Sequence, residues 1–315
     1  MENSTFRTQY KTKTEKKQID YSSEIVLFGS CFSENIGHKF EYYKLNSTIN
    51  PYGILFSPAA IEKAISECLE NKIYKEEDLI FHNELWHSFN HHSDFSGLEK
   101  QEVLTKINSS IQEGNNRLKS ANYIIITLGT AWVYEYIETR TRVANCHKIS
   151  QNKFHKRILS VEEITKSIER LKDQIKRINP DANFIFTLSP VRHLKDGMIE
   201  NTQSKSHLLT AIHNIIDTQS FYFPSYEIMM DDLRDYRFYK EDMIHPNTTA
   251  IDYIWTIFKA TWISDKADAT IEEIENIQKG LAHKAFNPDS VQHKKFILNL
   301  KNKILKLQKE KNILF

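Results

Sequence analysis

The sequence has few cysteines and glycines, no long apolar run and almost no net charge. Its three cysteines, Cys31, Cys68 and Cys146, form neither a CxxC pair nor a regular disulfide framework, which favours a reducing, cytoplasmic setting. The eight glycines never assemble into GxGxxG or a phosphate-binding loop, so no nucleotide site is predicted and no cofactor is expected. Forty-two Lys and Arg residues balance 41 Asp and Glu residues, so the chain has no global positive field that would gather nucleic acid.

No apolar run approaches the roughly 20 residues needed to cross a bilayer. Residues 1–20 carry several lysines with no apolar stretch behind them, which is not typical of a signal peptide. With 40% apolar and 26% charged residues, the composition is that of a globular protein. We predict three segments: a polar N-terminal arm over residues 1–20, one catalytic domain over residues 21–264 and a C-terminal helical extension over residues 265–315.

Short apolar runs that end in glycine or proline alternate with longer helical patterns. Buried strands are predicted at residues 24–28, 123–128 and 184–188, with weaker candidates at 47–49 and 221–226. In the last of these, Pro224 indicates either an edge position or a break in the strand. Helices are predicted after the cap Ser57-Pro58, after the capping box Ser160–Glu163, and over residues 98–118, 198–216 and 248–262. This alternation predicts an α/β fold with a parallel sheet of about five strands covered by helices on both faces.

The C-terminal extension is predicted to contain two helices, over residues 270–281 and 291–314. The second is rich in lysine and carries an apolar stripe through Phe296, Leu300, Ile304 and Leu307. Such a helix either packs on the main domain with a solvated lysine face or binds a partner or a membrane surface.

In an open parallel sheet, sites form at the carboxyl ends of the strands. The first strand is followed by Gly29, Ser30 and Cys31, so two side chains that can act as nucleophiles stand at the start of a helix, where free amides stabilise a thiolate or an oxyanion. The alternative is a simple turn in which Ser30 caps the helix and Cys31 fills the core.

Two further segments carry polar groups suited to catalysis. Asp242 stands three residues before His245, so its carboxylate can bind one ring nitrogen and leave the other as a general base; otherwise the pair is a capping Asp and a surface His. Gly129, Thr130 and Gly53 follow other strands, and their amides, or the Thr130 hydroxyl, either bind an oxyanion or only form turns.

The order of these segments resembles the SGNH, or GDSL-like, hydrolase superfamily. Several strings together are similar to the bacterial GSCFA family over roughly residues 5–260. These strings are Gly29-Ser30-Cys31-Phe32-Ser33, Asn50-Pro51-Tyr52-Gly53, Leu128-Gly129-Thr130-Ala131-Trp132 and Ser189-Pro190-Val191-Arg192-His193. The resemblance implies a three-layer α/β/α, flavodoxin-like domain. Asn201, Ser204 and Lys205 also resemble the family pattern, without an assigned role.

The resemblance implies roles for individual residues. An ungapped overlay on the superfamily's Gly-Asp-Ser places Cys31 at the nucleophile position, with Ser30 as the alternative. Asp242 and His245 match its Asp-x-x-His, and Gly53 matches an oxyanion-hole glycine. Where many members carry Gly-x-Asn-Asp, this chain has Gly129-Thr130-Ala131-Trp132, so a side-chain donor is missing, which Thr130 or a main-chain amide can replace.

Arg192 and His193 are expected at the same edge of the sheet. Either they bind an anionic or sugar-like group, or Arg192 pairs with Asp196.

Two classes of function fit these residues. The first is an esterase or acyltransferase that forms a covalent acyl intermediate on Cys31 or Ser30, with a small-molecule or carbohydrate ester as substrate. The second is a catalytically weak module with the same fold that binds a carbohydrate or acyl group.

A metal enzyme is less favoured. His82, His87, His91 and His92 lie close together in the sequence, and His87 and His91 have helical spacing. The stretch is rich in Asn and Ser and lacks a helical period, so we interpret it as an insertion loop near the cleft and assign no metal site.

Overall fold

A computed structural model describes residues 7–311 and 313–315. Residues 1–6 of the predicted N-terminal arm therefore lie outside the described residues. In chain order the elements are β1 (Ile25–Gly29), α1 (Cys31–Tyr42), β2 (Ser47–Ile49), α2 (Pro58–Leu69), β3 (Ile80–His82), β4 (Leu85–His87), α3 (Lys100–Ser120), β5 (Tyr123–Leu128), β6 (Trp132–Tyr136), β7 (Thr141–Val143), β8 (Phe154–Ile158), α4 (Val161–Ile178), β9 (Asn183–Leu188), α5 (Met198–His213), β10 (Ser220–Phe223), α6 (Ser225–Glu227), α7 (Thr248–Trp262), α8 (Asp265–Ala282) and α9 (Val291–Lys311).

The central sheet has five parallel strands in the order β10-β9-β5-β1-β2. Leu27 of β1 lies opposite Ile49 of β2 on one side and Ile125 of β5 on the other. Successive residues of a strand point to opposite faces, and both faces are covered, so β1, β5 and β9 are almost uniformly apolar. The predicted parallel sheet of about five strands is confirmed. The strand predicted at residues 221–226 is β10, which lies at the edge of the sheet and ends at Phe223, before Pro224.

Helices cover both faces of the sheet and form two separate cores. Val26 and Phe28 of β1 pack with α2, α3, α4 and α5. Ile25 and Leu27 of the same strand pack on the opposite face with α1, α7 and α8. The predicted three-layer α/β/α architecture is therefore confirmed.

Local capping groups fix where two of the predicted helices begin. The Ser57 hydroxyl accepts a hydrogen bond from the Ala60 amide (3.3 Å), and Pro58 occupies the first helical position of α2. At α4 the Ser160 hydroxyl accepts from the Glu163 amide (3.1 Å), while the Glu163 carboxylate accepts from the Ser160 amide (3.0 Å). Both predicted helix starts are confirmed.

Two small antiparallel sheets were not predicted. Strands β3 and β4 form a hairpin inside the histidine-rich stretch that was interpreted as a loop. Strands β7, β6 and β8 form a second sheet directly after Gly129, at the carboxyl edge of the main sheet. Their residues are short runs of mixed polarity, so they lack the continuous apolar signal of the central strands.

The C-terminal helices α8 and α9 form a small third core through Ile274, Ile277 and Leu307. Leu300 of α9 is buried as well, whereas Phe296 is partly exposed, so the predicted apolar stripe is buried only in part. None of the described helices is long and apolar enough to cross a membrane.

Candidate active site

The chain turns sharply where β1 meets α1. Gly29 has a φ of +140°, and an added Cβ there would lie 2.2 Å from the carbonyl oxygen of Thr127, so only glycine fits. The next residue, Ser30, is fully buried, and its hydroxyl accepts a hydrogen bond from the Phe32 amide (3.3 Å). Cys31 is the first residue of α1 and is partly exposed. Ser30 therefore caps the helix, and the Cys31 thiol is the more accessible of the two groups.

Some of the groups around Cys31 raise the pKa of its thiol, and others lower it. Burial raises the pKa of the Cys31 thiol above its ordinary value, and the nearby Glu34 carboxylate raises it further. The ammonium of Lys240 and the backbone N–H groups of Phe32 and Cys31 oppose that rise because they stabilise a thiolate. Since the net shift is upward, forming the thiolate at neutral pH requires a base or a further positive charge.

Asp242 and His245 form a directly bonded pair in the loop before α7. The Asp242 carboxylate contacts His245 Nδ1 at 2.6 Å and accepts the amides of Ile244 and His245, each at 2.9 Å. Hydrogen bonds from the backbone of His245 and Ile244, and from the His245 ring, lower the pKa of Asp242 to about 2. The carboxylate therefore stays ionised at neutral pH and orients the ring so that its Nε2 faces away from Asp242.

The loop that carries His245 lies beside the start of α1. Lys240, whose charge acts on Cys31, donates its amide hydrogen to the carbonyl of His245 (2.7 Å). Helix α7 follows this loop and packs against α1, with the ring of Phe40 5.3 Å from that of Trp255. Within residues 7–311 and 313–315, however, no hydrogen bond joins the Cys31 thiol to His245. The fold brings the two groups to the same edge of the sheet without a hydrogen bond between them.

His193 lies in the loop after β9 with its ring partly buried beside Phe56, at a centroid distance of 5.3 Å. Its Nε2 is buried and has no hydrogen-bond partner among the described residues. Burial lowers the pKa of His193 to about 3, and the charges of Lys205 and His245 contribute to the decrease. The ring is therefore a neutral imidazole, which has one N–H to donate.

Arg192, the neighbour of His193, does not pair with Asp196. That carboxylate pairs with Lys156 instead, so the expectation of an Arg192–Asp196 pair is wrong. The Arg192 Nε is buried without a hydrogen-bond partner in the described part of the chain. The guanidinium lies near Tyr226 and Tyr239, where its charge opposes the rise in their phenolic pKa that burial causes. It is thus a cation whose Nε has no acceptor among the described residues.

The backbone amides that were expected to bind an oxyanion are already occupied. The Gly53 amide donates to the Asn50 carbonyl (2.7 Å), and the amides of Gly129 and Thr130 donate to the Phe56 carbonyl at 2.8 and 3.1 Å. The Thr130 hydroxyl accepts from the Trp132 amide (3.1 Å) and contacts the Ser204 hydroxyl (3.1 Å). In this conformation none of these three amides is free to donate to a substrate.

One residue of this region, Lys205, was not among the predicted site residues. Its ammonium is buried and donates to the carbonyls of Gly129 and Ser189, each at 2.8 Å. Burial lowers the pKa of Lys205 to about 7, while Cys31 and Glu227 oppose the decrease. The sequence pattern could have identified Lys205 as unusual. It lies on the helical stripe that also carries Leu208 and Ile212, where an apolar residue is expected.

The histidine-rich stretch forms internal contacts. His87 contacts the Ser96 hydroxyl (2.6 Å) and the His82 carbonyl (3.0 Å) through its two ring nitrogens. His91 is buried and stacks on Tyr52 at 4.2 Å. In the described ranges no group of three His, Cys, Asp or Glu side chains is placed to hold a metal ion.

Comparisons with known proteins give a family match along most of the chain. The sequence model of the GSCFA family matches residues 24–258, and a model described as the C-terminal domain of GSCFA domain proteins matches residues 274–314. A search of curated proteins finds no match.

Two solved structures are distantly similar to the chain. A carbohydrate esterase of family 3 from Talaromyces cellulolyticus has 6% identity and a TM-score of 0.36, over 81% of this chain and 99% of that one. The acetyl xylan esterase Est2A from the rumen bacterium Butyrivibrio proteoclasticus has 9% identity and a TM-score of 0.34, over 83% of this chain and 65% of that one. Similarity at this level says nothing about the chemistry of this chain.

Proposed function

Because the chain belongs to the GSCFA family, we propose that it is an esterase or acyltransferase whose nucleophile is the Cys31 thiol. The observation that carries this proposal is the Asp242–His245 pair, joined at 2.6 Å, in a loop whose Lys240 charge acts on Cys31. A carboxylate-oriented imidazole and a thiol at a helix N-terminus are groups that nucleophilic acyl transfer uses.

The proposed reaction has two steps. In the first, His245 Nε2 takes the thiol proton while Cys31 Sγ attacks the acyl carbon, and the ester C–O bond breaks as His245 returns the proton to the leaving alcohol. In the second, water or an acceptor alcohol loses a proton to His245 and attacks the thioester, which releases the acyl group and restores the thiol. The accessibility of Cys31, compared with the fully buried Ser30, supports Cys31 as the nucleophile.

His193 is proposed to bind the oxyanion that forms during both steps. The asparagine typical of the superfamily is absent, since Ala131 stands at its position. A neutral ring whose buried Nε2 has no partner in the described part of the chain can supply the missing side-chain donor. The Cys31 amide at the start of α1 is the proposed second donor, because the Phe32 and Ser33 amides already donate to Ser30.

Arg192 supports a proposal about the substrate. A guanidinium prefers carboxylate or phosphate oxygens, which it binds with paired N–H groups. We therefore propose an O-acylated carbohydrate that carries an anionic group near the ester. The measurement is KM for paired neutral and anionic sugar acetates with wild type and Arg192→Met. Only the anionic substrate should show a higher KM in the variant, and an equal effect on both would contradict this role.

A second candidate function is a binding module with weak catalysis. The observation that favours it is the missing hydrogen bond between Cys31 and His245 in the described part of the chain. Such a module binds a carbohydrate or acyl group in the same cleft and turns it over slowly, if at all.

Kinetics with short-chain aryl acetates and acetylated sugars test the two candidates. We expect turnover by the wild type, a loss of about 10³-fold or more in Cys31→Ala and His245→Ala, and little change in Ser30→Ala. Cys146→Ala is the matched control, since Cys146 is another partly exposed cysteine. Wild-type turnover that survives both Cys31→Ala and His245→Ala refutes the catalytic proposal, and saturable binding without turnover favours the module.

A further inference from the structure

A cavity of about 640 Å³ is lined by residues of both small antiparallel sheets. Its walls come from the β3–β4 hairpin, from Tyr134 of β6, from residues 144–148 after β7 and from Ile54 and Phe56 after β2. Small-molecule sites typically enclose roughly 300–1,000 Å³, so the cavity is large enough to hold a ligand. None of the proposed catalytic residues is among its described lining residues.

One short segment joins this cavity to the candidate active site. Ile54 and Phe56 line the cavity. Leu55, between them, donates its amide hydrogen to the carbonyl of Gly29 (2.9 Å), in the turn that precedes α1. The ring of Phe56 also lies beside that of His193, at a centroid distance of 5.3 Å. The segment 54–56 is therefore a wall that the cavity shares with the turn of the proposed nucleophile and with the proposed oxyanion donor.

The cavity walls combine aromatic rings with neutral polar side chains. Phe56 and Tyr134 supply rings, and Asn83 and Asn145 supply amides. Among the described lining residues Lys148 is the only lysine or arginine, and none is a carboxylate. A sugar ring suits such walls, because its C–H faces pack on aromatic rings and its hydroxyls bond to amides. A phosphate group prefers more positive charge, and a long acyl chain prefers walls with fewer polar groups.

His147 is a second reason to expect a ligand with hydroxyl groups. It lines the cavity, and only 5% of the residue is exposed. Its Nε2 donates to the carbonyl of Ser88 (2.7 Å), and burial lowers the pKa of His147 to about 4, so the ring is neutral and its Nδ1 is an acceptor. This Nδ1 is buried and has no hydrogen-bond partner among residues 7–311 and 313–315. Most buried acceptors in folded proteins are paired, and a ligand hydroxyl supplies the donor that this ring lacks.

The turn that carries His147 has an uncommon backbone conformation. His147 and Lys148 have φ angles of +48° and +61°, in the left-handed region that favours glycine. The amide of Ile149 closes the turn by donating to the carbonyl of Cys146 (2.9 Å). Strained backbone of this kind is concentrated at ligand-binding sites, where it holds a side chain in place at a cost in stability.

We propose that this cavity binds one monosaccharide unit of the substrate, next to the ester on which the candidate active site acts. The proposal rests on the proposed function for the ester and on the cavity walls for the sugar. The sugar ring packs against Tyr134, and its hydroxyls bond to Asn83, Asn145 and His147. This site is distinct from Arg192, whose proposed role concerns an anionic group of the substrate.

Cys146 reports whether the cavity is occupied, because it lines the cavity and is partly exposed. Its alkylation by iodoacetamide at about pH 9 is read by peptide mass spectrometry, with and without xylose, glucose, N-acetylglucosamine or glucuronic acid. We expect at least one of these sugars, at about four times its Kd, to slow the reaction about fivefold. Sorbitol, an open-chain polyol, is the control for a general solute effect and should not slow it.

Two variants test the walls themselves. Asn83→Gly removes an amide, and glycine accepts the φ of +47° at this position. Tyr134→Leu removes a ring. Each should raise the sugar concentration that gives half-protection by about three- to tenfold. Asn71→Gly is the matched control, since Asn71 also has a left-handed backbone (φ +50°) and is not among the described lining residues.

The inference is overturned if none of the sugars slows alkylation of Cys146, or if neither variant changes the half-protecting concentration. Protection by octanoate and not by sugars identifies an acyl-chain pocket and also overturns it. Alkylation does not require ester turnover, so the two proposals can fail separately. If sugars protect Cys146 and the wild type turns over no ester, the proposed function fails and the sugar site stands. If turnover depends on Cys31 and no sugar protects Cys146, only the sugar site fails.

Discussion

Replacing His193 by phenylalanine removes one hydrogen-bond donor and keeps a ring of similar shape. The backbone contact of this residue survives, because its amide, and not its ring, binds Asn201 (2.8 Å). The nearby amides of Gly53, Gly129 and Thr130 are occupied by carbonyl oxygens and cannot take over. We therefore expect kcat to fall by about 10²–10³-fold, or about 2.7–4 kcal/mol of transition-state stabilisation, as for the loss of one oxyanion donor.

Steady-state kinetics with an aryl acetate measure this effect. KM should change little, because the oxyanion exists only in the transition state and in the tetrahedral intermediate. His193→Gln is the matched variant, since the glutamine amide also offers an N–H donor, and it should stay within about tenfold of wild type. The pKa of His193 is lowered to about 3 by burial, so the ring is neutral above about pH 4 and its titration should not shape the kcat/KM profile there.

Two results would refute this reasoning. One is a His193→Phe enzyme with kcat within about threefold of wild type, which means that the ring does not stabilise the transition state. The other is an equal loss in His193→Phe and His193→Gln, which points to packing against Phe56 and not to the N–H group.

Asp242→Asn should lower kcat/KM by about two to four orders of magnitude, because the carboxylate that orients His245 is lost; normal activity would show that the pair is only structural. Gly129→Ala places a Cβ 3.0 Å from Phe56 and 3.2 Å from His193 Nε2, so kcat measured on an aryl acetate should fall by about tenfold. Ser160→Ala should lower the free energy of unfolding in urea by about 1 kcal/mol through loss of the α4 cap, with kcat unchanged.

The central strands could be predicted because burial on both faces leaves an unbroken apolar run. In β1, Val26 and Phe28 enter one core while Ile25 and Leu27 enter the other, so no polar position interrupts the pattern. The β6–β8 sheet gives no such signal, since β8 mixes Phe154 with exposed His155 and Lys156. Its pairing depends on long-range contacts that a local pattern does not contain.

Some features of the candidate site could also be predicted from the sequence, and others could not. Asp242 and His245 are three residues apart, so their hydrogen bond is a local property of the chain and could be foreseen. The unpartnered His193 Nε2 and the buried Lys205 result from the packing of α5 against the ends of β5 and β9. The sequence alone left Arg192 with two alternatives, and the choice between them depended on Lys156, which lies on a distant strand and takes Asp196.

The most direct measurement is to acylate the protein with an activated ester, quench it with acid and locate the adduct by peptide mass spectrometry. We predict one acyl group on Cys31 in the wild type, formed much more slowly in His245→Ala and unaffected by Cys146→Ala. Turnover without an adduct on Cys31, or with the acyl group on Ser30 instead, would contradict the assignment of the Cys31 thiol as the nucleophile.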